Sequence, residues 1–63
     1  MEGTVKWFNR IKRFGFIEGD DGEEYFFHQS AIIDDKSPNE GDKVSFETTV
    51  TNKGKQAKDV KLL

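Results

Sequence analysis

The sequence predicts an all-β protein, a small barrel of five antiparallel strands. Short runs of β-branched and aromatic residues recur through the 63 residues, and turn-forming residues separate them. Five short strands must bury one face of their sheet, and closing the sheet into a barrel removes the exposed strand edges. A chain of this length has room for one domain, so we expect a single domain over residues 1–63.

The first three strands follow one another closely. Residues 4–8 and 14–18 are rich in β-branched and aromatic side chains and predict the first two strands. The dipeptide Asp21-Gly22 is a strong hairpin signal, and residues 24–28 follow it as the third strand. We therefore expect the second and third strands to be neighbours in the sheet, joined by this hairpin.

The second half contains a longer connection and one more hairpin. One helical turn is expected after Ser30, followed by a loop over residues 34–41 that holds the only proline, Pro38. Residues 42–50 and 56–62 predict the last two strands, with a turn between them.

Alternation along the strands predicts which side chains fill the barrel. Thr48 is expected to follow the apolar residues of the fourth strand inward, and the hydroxyl group of Tyr25 is expected to reach a partner or the rim. The expected core is Val5, Ile17, Tyr25, Phe27, Ile32, Val44, Phe46 and Val60.

The same alternation turns a second set of ring-bearing residues outward. Three exposed phenylalanines on so small a domain are costly for solubility unless they are used. Every nucleobase has a flat π-face, so an exposed aromatic surface suits base stacking. Trp7 shares the alternation of Val5, and only a β-bulge near Lys6 would turn it outward. The outward set is Phe14, Phe16, Phe26 and His28.

Charge is unevenly distributed, although the net charge is only −2. Residues 2–16 carry a net charge of +3 and residues 51–63 also carry +3, whereas residues 18–24 carry −5. Basic residues thus accompany the aromatic segments, and acidic residues are expected in the turns between. If the outward rings stack bases, the basic residues that can lie beside them and contact phosphates are Lys6, Lys12, Arg13, Lys53 and Lys55.

An ordered set of motifs resembles the cold-shock domain family over essentially the whole chain. The resemblance implies a five-stranded oligonucleotide/oligosaccharide-binding (OB) barrel that binds single-stranded RNA and DNA with low sequence preference. It also implies a role as an RNA chaperone or as a regulator of transcription or translation. The motifs are Lys6-Trp7-Phe8-Asn9, Lys12-x-Phe14-Gly15-Phe16-Ile17, Phe26-x-His28, Ser30-Ala31-Ile32 and Gly54-x-Gln56-Ala57.

The chain departs from its bacterial relatives at informative positions. Arg13 stands where bacterial cold-shock proteins usually have glycine, and Gln29 follows His28 as in the Y-box branch. Residues 34–39 lack the aromatic residue often found there, and Lys55 replaces a common proline. Carried over by position, the family's nucleic-acid surface falls on Lys6, Trp7, Lys12, Phe14, Phe16, Phe26 and His28.

Two local questions stay open at this point. Arg13 either contacts a phosphate or strains the chain, if its position requires a positive φ. Gly15 lies between two outward phenylalanines, where a missing side chain lets a strand or a ligand approach closely.

Other functions were weighed against nucleic-acid binding. The outward phenylalanines could instead bind a protein partner. Enzymatic activity is not expected, since the chain has one histidine, no cysteine and no evident nucleophile–base pair, and neither a metal nor a cofactor is expected. No run is long and apolar enough to span a membrane, so a cytoplasmic protein is expected. A monomer is expected, with a strand-exchanged dimer as the alternative.

Overall fold

A closed barrel is formed by the residues described in the computed structural model, 1–33 and 36–63. Around the barrel the strands are ordered β1-β2-β3-β5-β4, and a short 3₁₀ turn, Gln29–Ala31, follows β3. Residues 34 and 35 of the predicted loop lie outside the described residues, and Pro38 beyond them is buried. The five strands are β1 (Glu2–Asn9), β2 (Phe14–Gly19), β3 (Glu24–His28), β4 (Lys43–Thr51) and β5 (Gly54–Leu62).

One strand pair is parallel, so the prediction of a fully antiparallel barrel is wrong at that place. The pairs β1–β2, β2–β3, β1–β4 and β4–β5 are antiparallel, whereas β3 and β5 run parallel, with Phe26 opposite Gln56. The reason is geometric. Strand directions cannot alternate all the way around a closed ring with an odd number of strands, so one neighbouring pair must run the same way.

The predicted core is confirmed. All eight expected residues are buried, and Ala57 joins them. The rings of Tyr25 and Phe46 lie 5.2 Å apart between centroids, and the half-buried Phe8 stacks on Phe27 at 5.6 Å. These contacts place three large rings inside a barrel whose radius of gyration is 10.1 Å.

Thr48 is exposed, contrary to the prediction. The pairing of β1 with β4 covers only Glu2–Thr4 opposite 43–45, so among the described residues no strand pairs with β4 on that side beyond Phe46. The second half of β4 pairs with β5 alone, which leaves Thr48 uncovered.

Two β-bulges set the directions of nearby side chains. In β1 the pairing steps from Val5 opposite Ile17 to Trp7 opposite Phe16, so Lys6 is the extra residue and the predicted bulge is confirmed. Trp7 is consequently 37% exposed. In the pairing of β4 with β5, the register shifts between Ser45 opposite Lys61 and Glu47 opposite Lys58. Asp59 lies in this second bulge and has a φ of +51°.

Gly15 allows β1 and β2 to pack over the core. A Cβ atom there would lie 2.9 Å from the Cα atom of Phe8 and 3.1 Å from the Phe27 ring. Of the two possibilities left open for Gly15, the approach of a neighbouring strand is the one that the packing requires.

The loop between β1 and β2 is built around Asn9. Its side-chain oxygen accepts the backbone N–H groups of Ile11 and Lys12, both at 3.0 Å. The Arg13 N–H donates to the Asn9 carbonyl at 2.7 Å, and the Arg13 carbonyl accepts the Gln29 N–H at 2.8 Å. Arg13 has a φ of +63°, so this position requires the left-handed conformation that glycine adopts most readily.

Replacing Arg13 by glycine should stabilise the protein. A non-glycine residue in the left-handed region costs roughly 1–2 kcal/mol of stability. Glycine removes this cost, but part of the gain is lost because glycine also raises the conformational entropy of the unfolded chain. We expect Arg13→Gly to raise the free energy of unfolding by about 1 kcal/mol in urea denaturation.

Asp59→Gly is the matched control, because Asp59 also has a positive φ. Aspartate adopts this conformation more easily than arginine, so its replacement should gain less. A loss of stability in Arg13→Gly would show that the Arg13 side chain contributes more than its backbone strain costs.

Candidate nucleic-acid interface

Four aromatic rings form a connected cluster on the outer face of β1, β2 and β3. Trp7 lies 5.6 Å from Phe14 and 5.4 Å from Phe16 between ring centroids. Phe26 lies 5.6 Å from Phe14 and 5.8 Å from Phe16. All four pairs are tilted or edge-to-face, the arrangements that aromatic rings prefer. We call Trp7, Phe14, Phe16, Phe26 and His28 the aromatic platform.

Strand register brings the platform together. Phe14 pairs with His28 and Phe16 with Phe26 across β2 and β3. Side chains directly opposite one another on antiparallel strands share a face, so these four residues form a block of two rows. The three phenylalanines are half-buried against one another, while Trp7 and His28 are more exposed.

The His28 ring is held in place by Ser30. Its Nδ1 atom accepts the Ser30 N–H at 3.1 Å and lies 3.0 Å from the Ser30 hydroxyl oxygen. A neutral imidazole that accepts through Nδ1 carries its proton on Nε2. His28 can therefore offer one hydrogen-bond donor at the edge of the platform.

A groove of about 380 Å³ opens beside the platform, between β3 and the start of β5. Its apolar wall is made by Phe16 and Phe26. Its polar wall includes two residues for which the sequence analysis gave no binding role, Glu24 and Gln56. Only the parallel pairing of β3 with β5 brings Gln56 to this place, and that pairing was not foreseen. The remaining lining residues are Lys53 and Lys55.

Two of the predicted basic residues form ion pairs with glutamates of the β2–β3 segment. The Lys6 Nζ atom lies 3.4 Å from a Glu24 carboxylate oxygen, and Lys55 pairs with Glu23. All four side chains are about half exposed. Glu23 lies in the turn before β3, where acidic residues were expected, and Glu24 is the first residue of that strand.

The other predicted basic residues extend freely into solvent. Lys12, Arg13 and Lys53 are exposed and form no ion pair with any residue in the ranges 1–33 and 36–63. Lys12 and Arg13 precede the first platform residue of β2, and Lys53 lies across the groove. Cationic side chains thus stand at both ends of the aromatic surface.

Comparison with known proteins identifies this arrangement. The family model for the 'Cold-shock' DNA-binding domain matches residues 1–63. The chain belongs to the cold-shock domain family. It is 53% identical over 62 residues to Cold shock-like protein CspE of Bacillus anthracis, an alignment that covers 95% of this chain and 92% of that protein. It is 52% identical over 61 residues to Cold shock protein CspC of Bacillus subtilis, covering 94% and 92% respectively.

A solved structure supports the same fold. The structure titled drosophila Unr CSD456 matches with a TM-score of 0.75 and 26% sequence identity. The match covers 98% of this chain but only 26% of that chain, so this chain corresponds to about a quarter of its length. The family predicted from the motifs and the predicted OB-type barrel are both confirmed.

Cold-shock domains are nucleic-acid-binding modules rather than enzymes. Two further observations concern metal binding and membrane-spanning helices. Within the described ranges, no three His, Cys, Asp or Glu residues are grouped so as to hold a metal ion. No helix in the same part of the chain is long and apolar enough to cross a bilayer.

A hydrogen-bond network runs from the barrel core to Lys55, one of the residues that line the groove beside the aromatic platform. The Tyr25 hydroxyl donates to Asp21 Oδ2 at 2.6 Å, as expected for a buried tyrosine, and Asp21 Oδ1 accepts the Glu23 N–H at 3.0 Å. The Tyr25 bond, helped by that N–H group, holds the pKa of Asp21 below its ordinary value of 3.8. The same bond raises the pKa of Tyr25 above 10.0. The bond to Glu23 raises the pKa of Lys55 above 10.5.

The Tyr25–Asp21 bond should make stability depend on pH in the acid range. Because the pKa of Asp21 is lower in the folded protein, its contribution is complete above the unfolded value and disappears as pH falls through the folded value. Tyr25→Phe should therefore lower the melting temperature more at about pH 6 than near pH 2.

Asp21→Asn supplies the control for this experiment. In that background no carboxylate titrates at position 21, so the effect of Tyr25→Phe should no longer change with pH. An equal effect of Tyr25→Phe at both pH values in the wild-type background would contradict the assignment.

Proposed function

We propose that this cold-shock domain binds single-stranded RNA and DNA by stacking bases on the aromatic platform. The observation that carries the proposal is the connected cluster of Trp7, Phe14, Phe16 and Phe26, open to solvent and flanked by cations. A duplex hides its base faces, whereas an unpaired strand can lay them on such a surface. Stacking accepts every base, so the expected sequence preference is low. His28 is proposed to stack or to hydrogen-bond at the platform edge.

The phosphate backbone is proposed to follow the basic residues around the platform. Lys12, Arg13 and Lys53 are available as they stand. Lys6 and Lys55 would exchange their glutamate partners for phosphates, which costs little because exposed ion pairs contribute little to stability. The acidic residues on neighbouring segments would discourage other paths for the strand.

The cellular role follows from this binding mode. A protein that binds unpaired bases shifts RNA hairpins toward the open form by mass action, without ATP. We therefore propose an RNA chaperone that also affects transcription or translation, acting in the cytoplasm without cofactor or catalysis. The proposed active unit is one domain over residues 1–63, working as a monomer, with strand exchange as the route to a dimer. Docking of a protein partner on the platform is the alternative, and the family match does not favour it.

Titration with a short thymine oligomer tests the stacking mechanism. The oligomer should quench Trp7 fluorescence, and Phe16→Ala should weaken binding by roughly 1–3 kcal/mol, the usual contribution of one stacked base. Phe16→Leu keeps apolar volume but lacks a π-face and should also bind weakly, which separates stacking from packing.

The control is Leu63→Ala, since Leu63 is exposed and bonds through its backbone N–H to Lys43 rather than to a platform residue. Its affinity should equal that of the wild type. Unchanged Trp7 fluorescence and no measurable binding of the oligomer would contradict the proposed function and favour a protein partner.

Salt dependence tests the phosphate contacts. If three or four phosphates are neutralised, log K should fall with log salt with a slope of about −2 to −3. Lys53→Gln should make that slope shallower by about 0.7, the value for one phosphate on a single strand.

Lys61→Gln removes the same charge from an exposed position opposite Ser45, away from the platform. It should leave the slope unchanged. A wild-type slope near zero would refute the electrostatic part of the proposal.

A further inference from the structure

The loop between β1 and β2 carries an apolar side chain that the proposed function does not use. Ile11 is 92% exposed, more than any other large hydrophobic residue in the described part of the chain. Its neighbours Arg10, Lys12 and Arg13 are also exposed, so an isolated apolar tip stands among three cations. An apolar side chain in this setting gains nothing from the fold of its own protein.

The loop is rigid enough to present this tip in a fixed direction. The Asn9 side-chain oxygen accepts hydrogen bonds from the backbone N–H groups of Ile11 and Lys12. The backbone N–H and carbonyl groups of Arg13 are both hydrogen-bonded as well. Arg10 is also held, because its Nη2 atom donates to Asn39 Oδ1 at 2.6 Å. A preorganised contact loses little conformational entropy when it binds.

The loop stands at one end of the aromatic platform. Asn9 and Phe14, which flank it, pair with each other, and Phe14 pairs in turn with His28. The Gln29 N–H bonded to the Arg13 carbonyl joins the loop to the end of β3 as well. A nucleic-acid strand that leaves the platform past Phe14 and His28 therefore meets this loop next.

The pattern of an apolar tip between cations matches the end of a duplex. The last base pair of a stem exposes a flat apolar face, and a phosphate backbone runs along each side of it. An unpaired strand offers only one backbone, and the basic residues proposed for it include Lys6, Lys53 and Lys55, which lie outside this loop. Apolar side chains, isoleucine among them, are known to pack against unstacked base steps.

We propose that the β1–β2 loop recognises the junction where a bound single strand continues into a duplex. Ile11 packs on the terminal base pair, and Arg10 and Lys12 contact the phosphates of the two strands. The proposal rests on the proposed function and specifies its substrate, a single-stranded tail on a stem. It would place the protein at the fork of a hairpin, where trapping newly opened bases extends the opening.

Three oligomers with the same single-stranded thymine tail test this. In one the tail is free, and in the other two it is joined to a stable hairpin stem at its 5′ end or at its 3′ end. The wild type should bind the stem-joined tail about 5-fold more tightly in one polarity, the effect expected for partial burial of one aliphatic side chain. Ile11→Ser should remove this preference and leave binding to the free tail unchanged. Ile11→Val should retain most of it.

Leu63→Ser is the matched control, because Leu63 is 67% exposed and its backbone N–H bonds the Lys43 carbonyl rather than a residue of the β1–β2 loop. It should keep the full junction preference. Equal wild-type affinity for free and stem-joined tails in both polarities overturns the proposal, as does a preference that Ile11→Ser leaves intact. Equal weakening of both ligands by Ile11→Ser also overturns it, because Ile11 would then be part of the single-strand track. Failure of the free tail to bind the wild type would instead count against the proposed function itself.

Discussion

The small volume of the barrel interior is the constraint on which the rest of the structure depends. Among the described residues, a core of nine buried side chains, including the rings of Tyr25, Phe27 and Phe46, occupies it. Strand alternation then leaves no inward position for Phe14, Phe16 and Phe26, which lie on the outer face of β2 and β3. A surface of this kind lowers the solubility of an unbound protein, and the proposed binding of bases accounts for its presence. The same alternation thus produces both the core and the proposed binding surface.

Local irregularities of the backbone, together with strand alternation, shape the aromatic platform. The bulge at Lys6 reverses the direction of Trp7 and brings it against the rings of Phe14 and Phe16. The missing side chain of Gly15 lets β1 approach closely enough for that contact. The tight turn between β1 and β2 requires a residue in the left-handed conformation, and that residue is Arg13. Strain at this point is consistent with a loop whose cations and apolar tip have a role in binding.

Much of this was predictable, because a period of two is a strong signal when one face of a sheet is buried. The core and the outward rings of β2 and β3 follow from it. The bulge before Trp7 does not, because alternation alone would put Trp7 on the same side as Val5, and its outward direction was expected from the family resemblance. The parallel β3–β5 pair was missed, although an odd number of strands in a closed ring requires one parallel pair. Without that pair the groove beside Gln56 could not be placed. The partners of Lys6 and Lys55 were also missed, because a sequence gives the sign of each charge but not the cross-strand distances that select a partner.

The central claim is that the outer face of β1–β3 is where unpaired bases bind, and a residue-resolved NMR titration tests it most directly. Isotope-labelled protein would be titrated with an unlabelled thymine oligomer of about six nucleotides, within the range that such barrels bind. The account predicts the largest shift changes at the Trp7 indole N–H and at the amides of residues 14–16 and 26–28. Changes concentrated on β4 and the far half of β5, with the Trp7 signal unmoved, would contradict it.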